Sequence, residues 1–226
     1  MSIGLLIVGL GRMGRLVQAL APEHGFHVTG TVDVDVADRP DLWPPAEVAI
    51  DFSIAEAVSQ NVVRLADRGT DVVIGTTGWQ AQEAELREQV ASRGIGVVAA
   101  PNFAIGVNLF IALAERAAEL WRDQPAFGAW VHELHHAAKR DAPSGTALAL
   151  QRAMASRGYA HPVAMSSTRA GTIPGTHTIG FDAAAETITL THTTRDRTAF
   201  ARGALEAAAW VRGRQGWFTM RDVLGI

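Results

Sequence analysis

Gly9-Leu10-Gly11-Arg12-Met13-Gly14 is the stretch that most narrows the folds open to this chain. It follows the apolar run of residues 5–8 directly and opens a helical pattern. Each glycine at such a junction has a mechanical use: a tight turn, room for backbone to approach a ligand, and close packing of helix on strand. The uncapped N–H groups at the helix start then suit a pyrophosphate. A lone GxGxxG is equally an incidental glycine-rich turn. The strand before it and the helix after it make dinucleotide binding the expected reading.

The following hundred residues repeat the same alternation. Residues 5–8, 28–32, 48–50, 72–74 and 97–98 are short runs apolar on both faces, as in a parallel sheet covered on both sides. Between them, 13–20, 54–67 and 80–92 have helical spacing, with Ser53 and Glu56 reading as a capping box and Gly69 as a stop. This predicts an α/β chain with a Rossmann-like, doubly wound parallel sheet. Near Asn102 the pattern changes. A long apolar helix is expected over 105–121, a strand over 130–134, a helix opening near Ser144, and strands over 163–167, 177–181 and 186–192. These make a second, smaller α+β unit. A helix over 205–211 and a short segment around Val223 are expected to pack back on the first domain, since termini often lie close together. The expected division is 1–104 plus 198–226 for the dinucleotide-binding domain, and 105–197 for the other.

The second strand ends at Asp33, about 20 residues beyond the glycines, where an acid accepts the ribose hydroxyls of NAD and repels a 2′-phosphate. Asp35 adds negative charge and Val34 supplies no cation, whereas Arg12 could turn toward a 2′-phosphate. NADH is therefore expected to be preferred, with some use of NADPH. Gly75-Thr76-Thr77-Gly78 and Ala100-Pro101-Asn102-Phe103 follow the fourth and fifth strands, at the sheet end where ligands of open α/β sheets bind. The structural alternative is that both are plain turns.

The densest polar cluster is Glu133-Leu134-His135-His136-Ala137-Ala138-Lys139-Arg140-Asp141-Ala142-Pro143-Ser144-Gly145-Thr146-Ala147. Two adjacent histidines leaving a strand point to different sides. Histidine titrates near neutrality and is suited to give a proton in a reduction. Lys139 can pair with a carboxylate, and Ser144-Gly145-Thr146 opens a helix whose amides form an anion site. Lysine and amides together suggest a carboxylate-bearing substrate. The bland alternatives are solvated loop histidines and a serine that merely caps a helix. No metal is expected, because neither a cysteine nor an HExxH-like spacing completes a site.

Composition removes other classes. Hydrophobic residues are 48% of 226, enough to build a packed core. The net charge of -3, without a Lys/Arg block, argues against nucleic acid or an anionic membrane as partner. No apolar run is long enough to span a bilayer, and residues 1–8 carry no cationic leader or A-x-A-like cleavage site. The absence of cysteine excludes disulfides and thiolate chemistry and fits a cytoplasmic protein.

The 133–147 run resembles the signature of the dihydrodipicolinate reductase family. Gly11-Arg12-Met13-Gly14, Asp51-Phe52-Ser53, Gly75-Thr76-Thr77-Gly78 and Asn102-Phe103-Ala104-Ile105-Gly106-Val107-Asn108 match that family in order. So do Arg169-Ala170-Gly171, Gly175-Thr176-His177-Thr178, Thr191-His192 and Met220-Arg221-Asp222-Val223-Leu224, so that the likeness runs end to end. The resemblance implies NAD(P)H-dependent reduction of 4-hydroxy-tetrahydrodipicolinate to tetrahydrodipicolinate with loss of water, in lysine and diaminopimelate biosynthesis. It implies a homotetramer built by the middle domain, which also binds the dicarboxylate substrate. By position it makes His135 the proton donor or acceptor, His136 a substrate contact, and Lys139 a second proton donor and carboxylate partner. Gly145 and Thr146 would hold a substrate carboxylate through their amides. The chain departs from the family pattern in a glycine loop one residue shorter than the commonest form, in the short 33–51 stretch, and in Val34, where members using NADPH well can carry arginine. Two rivals stand beside this reading: an amino-acid dehydrogenase on the same cofactor fold, and a non-catalytic dinucleotide-binding protein.

Overall fold

The computed structural model describes residues 2–159 and 161–226. In chain order come β1 (Ile3–Val8), α1 (Arg12–Leu20), β2 (Phe26–Val32), β3 (Val48–Asp51), α2 (Ala55–Ala66), β4 (Asp71–Ile74), α3 (Glu83–Val90) and β5 (Gly96–Ala99). Then follow α4 (Ile105–Trp121), β6 (Gly128–His135), α5 (Gly145–Ser156), β7 (Val163–Arg169), β8 (Thr176–Ala183) and β9 (Glu186–Thr193). The chain closes with α6 (Thr198–Val211), β10 (Gly216–Phe218) and α7 (Met220–Leu224). Two compact units result: residues up to Ile105 together with Arg197–Ile226, and Gly106–Asp196.

The first unit is a six-stranded parallel sheet in the order β10-β5-β4-β3-β1-β2. Alternation along β1 explains its apolar character. Leu5 and Ile7 pack toward α1 and α6, while Leu6 and Val8 pack toward α2 and α3. Buried on both faces, the strand has no solvent side to mark with polar residues. Strand order reverses between β2 and β3 on either side of β1, which opens a crevice beyond the strand ends.

The short 33–51 stretch crosses from β2 to β3 with a single 3₁₀ turn, Pro40–Leu42, and no α-helix. Trp43 does the covering there: it is 3% exposed and its indole N–H donates to the Val36 carbonyl at 3.0 Å. Arg68 donates to the carbonyls of Trp43 and Pro40, at 2.8 and 2.5 Å, and ties the crossover to α2.

Two local expectations are corrected, and a third feature was without an expectation. The capping box at Ser53 does not form: the N-cap of α2 is Ile54, and the Ser53 hydroxyl donates instead to Asp51 Oδ1 at 2.7 Å. The Ser53 oxygen in turn accepts from Asn61 Nδ2 at 3.3 Å, so the hydroxyl is engaged in the buried Asp51 cluster and accepts from none of the first-turn amides of α2. The returning helix is longer than 205–211 because Thr198 to Ala204 continue it, with Ala201 and Ala204 wholly buried. Third, β10 was not expected, since its three residues are too few to show a period. Asp71 Oδ1 and Oδ2 accept from the Gly96 and Gly213 amides, at 2.8 and 2.7 Å, and thereby fasten this returning segment to the sheet.

The second unit is a four-stranded sheet in the order β7-β6-β8-β9, with β6 and β7 parallel and the other pairs antiparallel. One face is covered by α4 and α5 through Phe110, Ala114, Leu150 and Met154. The other is lined with hydroxyls, where Thr178 and Thr176 bond Thr191 and Thr193 across β8 and β9 at 3.0 and 3.1 Å.

Candidate functional site

The glycine loop divides the three uses of glycine among its members. Gly9 adopts φ +88°, and a Cβ there would meet the Phe52 backbone. A Cβ on Gly14 would overlap the Gly9 carbonyl oxygen, so this glycine lets α1 lie against the strand end. Gly11 is different: its Cβ would meet nothing within 4 Å. It is the N-cap of α1 and offers no side chain to the first-turn amides, which open on free space.

That space is a cleft of about 420 Å³ lined by Gly11, Arg12, Met13, Gly75, Thr76 and Thr77, all sequence candidates. Phe52, Ser53, Ile54, Ala55 and Arg197 complete it. Arg197, immediately before α6, was not singled out from the sequence, because nothing in its local spacing marks it. The floor is ordered by Asp51, which is fully buried. Its Oδ1 accepts from the Ser53 amide (2.9 Å) and the Thr76 hydroxyl (2.8 Å), and its Oδ2 from Asn61 (2.9 Å). A Cβ on Gly75 would overlap the Phe52 ring, so glycine is required for that ring to lie over the turn.

The remaining candidates lie elsewhere in the unit. Asp33 is exposed just past β2, with Oδ1 accepting from the Val34 amide at 3.0 Å. Ala100 and Phe103 are part of the core, Pro101 is exposed, and Asn102 Oδ1 accepts from the Ala104 amide at 2.9 Å. These cradle features fit a dinucleotide: an open N-terminal turn, close backbone and two arginines at the rim.

In the second unit the strand period decides the site. Ala129, Val131, Glu133 and His135 alternate onto the buried face of β6. Register places Glu133 opposite His177 on β8 and beside Ser167 on β7, and His135 beside Arg169. Glu133 Oε1 accepts from the Ser144 amide (2.9 Å), the Ser167 hydroxyl (2.7 Å) and the Arg169 guanidinium (2.7 Å). Oε2 lies 3.3 Å from His135 Nδ1 and 3.5 Å from His177 Nε2. Burial raises the Glu133 pKa, but the hydrogen bonds from Ser144, Arg169 and Ser167 outweigh it and bring the value to about 2. Burial moves both histidines the other way, His135 downward despite the Glu133 charge and His177 to about 4. Ligand-type atoms of Glu133, His135 and His177 lie within 4.8 Å of one another, a convergence of three strand positions invisible in the sequence. The Arg169 guanidinium already supplies the positive charge that the carboxylate needs.

Beyond β6, His136 is half-buried, and Lys139 pairs with Asp141 at 2.7 and 2.9 Å. Ser144 caps α5 as expected, its hydroxyl accepting from the Ala147 amide at 3.2 Å. Leu148 donates to the Ser144 carbonyl at 3.0 Å. The amides of Gly145 and Thr146 lie ahead of these bonds in the first turn, and a Cβ on Gly145 would meet nothing within 4 Å.

Sheet order, glycine loop and cleft define a two-unit protein whose first unit is built as a dinucleotide-binding fold. Comparison with known proteins narrows this: models of the dihydrodipicolinate reductase N-terminus and C-terminus match residues 3–103 and 106–224. The chain belongs to the dihydrodipicolinate reductase family. It is 40% identical over 237 residues to the 4-hydroxy-tetrahydrodipicolinate reductase of Acidiphilium cryptum, with 96% of this chain and 94% of that one covered. To the enzyme of the same name from Christiangramia forsetii it is 32% identical over 235 residues, covering 99% and 98%. Among solved structures it resembles the dipicolinate-bound dihydrodipicolinate reductase of Paenisporosarcina sp. TG-14, with TM-score 0.79, 21% identity, and 97% and 98% covered.

Proposed function

We propose that the protein reduces 4-hydroxy-tetrahydrodipicolinate to tetrahydrodipicolinate, consuming NAD(P)H and a proton and releasing water, in lysine and diaminopimelate biosynthesis. The observation that carries this reading is the segment from the end of β6 to the start of α5, which carries a buried imidazole, a half-buried lysine and open helix amides. A dicarboxylate needs two anion holders and a proton source, and these are the groups present. Gly145 and Thr146 hold one carboxylate through their amides, aided by the positive end of α5. Lys139, drawn from Asp141, pairs with a carboxylate and gives a proton. His135 exchanges the other proton, and its lowered pKa leaves the ring neutral and ready to accept one near neutrality. His136, leaving the strand on the other side, contacts substrate.

The nicotinamide, when bound, supplies the hydride. Gly9, Gly11, Arg12, Met13 and Gly14 hold its pyrophosphate. Gly75, Thr76, Thr77 and the Ala100-Pro101-Asn102-Phe103 turn serve its nicotinamide and ribose. Asp33 takes the adenine ribose, and with Asp35 disfavours a 2′-phosphate, so that NADH is preferred over NADPH. Residues 1–104 with 198–226 are thus the nucleotide domain, and 105–197 bind substrate and build a homotetramer. Leu109, Leu113 and Leu120 of α4, 41%, 54% and 55% exposed, support such an assembly. Among the described residues no helix is long and apolar enough to cross a membrane. As an enzyme of amino-acid biosynthesis, it is placed in the cytoplasm by this reading.

The decisive assay couples a synthase that generates the unstable substrate to this protein and follows loss of reduced nicotinamide absorbance. Turnover only with the synthase present is expected. Turnover of aspartate or another amino acid in its place would overturn the assignment.

A further inference from the structure

Among the strand positions facing the helices of the second unit, Glu133 is the charged one held most completely. Three donors occupy Oε1: the Ser144 amide at 2.9 Å, the Ser167 hydroxyl at 2.7 Å and Arg169 Nη2 at 2.7 Å. They come from the N-cap of α5 and from β7, so the carboxylate is fixed from two elements and cannot turn. Its other oxygen is left facing His135 Nδ1 at 3.3 Å. Both of these atoms are buried, their 3.3 Å approach falls short of hydrogen-bond geometry, and neither has a hydrogen-bond partner elsewhere.

We propose that Glu133 is a positioning residue of the reductase site, fixing His135 as the Nδ1–H tautomer and tying that ring to the N-terminus of α5. This rests on the reading that His135 exchanges a proton with substrate. An ionised carboxylate only accepts, so the ring nitrogen facing it must carry the hydrogen. A neutral imidazole has one N–H, which leaves Nε2 with its lone pair bare. Nε2 lies at Gly175, where a Cβ would sit 3.2 Å away. Glycine there, at φ +141°, keeps that edge of the ring clear for a reacting partner. The same carboxylate accepts from Ser144, one residue before the Gly145 amide. One buried group thereby sets the proton-exchanging atom and the start of the anion-holding turn.

His177 takes a supporting part. Its Nε2 is 3.1 Å from the Ser144 hydroxyl and 3.5 Å from Glu133 Oε2, and its ring meets that of His135 edge-on with centroids 5.0 Å apart.

The test is Glu133→Gln. Its amide oxygen inherits the three donors of Oε1, which turns the NH₂ group toward His135 Nδ1 and forces the proton to Nε2. Nitrogen-15 solid-state spectra of histidine-labelled protein, with His135 identified by loss of its signal in His135→Gln, read the tautomer directly. The expected result is Nδ1–H in the wild type and Nε2–H in Glu133→Gln. It comes with a fall of about 100-fold or more in kcat and an NADH dissociation constant changed by less than about twofold. Glu133→Asp, which keeps the charge, should restore the wild-type tautomer and part of kcat. A wild-type His135 found as Nε2–H overturns the proposal even if every variant fails to fold, and so does a Glu133→Gln protein with unchanged tautomer and kcat. The spectrum needs no turnover. A wild type with the Nδ1–H ring that fails to reduce the proposed substrate would refute the reaction and leave the positioning role standing.

Discussion

Glu133 on β6 stands directly opposite His177 on β8, with Oε2 and Nε2 3.5 Å apart and both side chains buried. The pairing joins a carboxylate held ionised to an imidazole held neutral, and both choices depend on pH. His177 is lowered from 6.5 to about 4, first by burial and then by the His135 charge. The unfolded chain therefore binds the His177 proton first as pH falls, and folded stability is lost between about 6.5 and 4. Glu133, lowered from 4.5 to about 2, adds a further loss below 4.5. Both act in the same direction. The His177 part is on the order of 3 kcal/mol, or a Tm fall on the order of 10 °C. Calorimetry from pH 7 to 4 should show that fall, and His177→Gln should flatten it; equal slopes in both proteins would refute the assignment.

The glycine loop predicts opposite outcomes for neighbouring substitutions. Gly11→Ala adds a methyl in open space, so Tm should hold while the NADH dissociation constant rises about tenfold or more, because the methyl occupies the approach to the α1 amides. Gly14→Ala must push α1 off the strand end against backbone, at a cost of roughly 1–3 kcal/mol. Thermal melting and fluorescence titration with NADH separate the two effects. A Gly11→Ala protein that binds NADH normally would place the pyrophosphate elsewhere.

These elements show why some features can be read from sequence and others cannot. The order of strands and helices in the first unit follows from apolar periodicity, and the GxGxxG junction locates the cleft. Glu133, His135, Lys139 and Ser144 stood out because they are close in sequence. Their partners Ser167, Arg169 and His177 did not, because only the register of β6 with β7 and β8 brings them together. Ser53 has the local pattern of a cap, but its hydroxyl is held by Asp51 and Asn61, and Asn61 comes to it only through the packing of α2 on β3. Arg197 reaches the cleft by the return of the chain, a long-range event with no local signature.

The paired Lys139 and Asp141 set an expectation for substrate affinity. Lys139 Nζ makes two bonds to Asp141, at 2.7 and 2.9 Å, and must loosen them to engage a carboxylate. Lys139→Ala should lower kcat/KM by about 100-fold or more, combining lost charge pairing and lost proton transfer. Asp141→Asn should lower KM, since it releases the lysine and removes a negative charge near an anionic substrate. Steady-state kinetics at saturating NADH check both. If Lys139→Ala and His135→Ala each left kcat/KM within about twofold of wild type, the catalytic assignment would fail.

Nucleotide choice is tested at the end of β2. Asp33 is exposed, and its Oδ1 accepts from the Val34 amide at 3.0 Å. Val34 is 91% exposed, so Val34→Arg introduces a cation without disturbing packing. The guanidinium would stand where a 2′-phosphate must lie and offset the repulsion of Asp33 and Asp35. The ratio of kcat/KM for NADPH over NADH should rise about tenfold or more in Val34→Arg, and further in the double variant with Asp33→Ser, with Tm unchanged. Asp33→Ser alone should weaken NADH more than NADPH, because only the ribose hydroxyls lose an acceptor. A wild type that already favours NADPH would show that Arg12, at the mouth of the cleft, outweighs both acids.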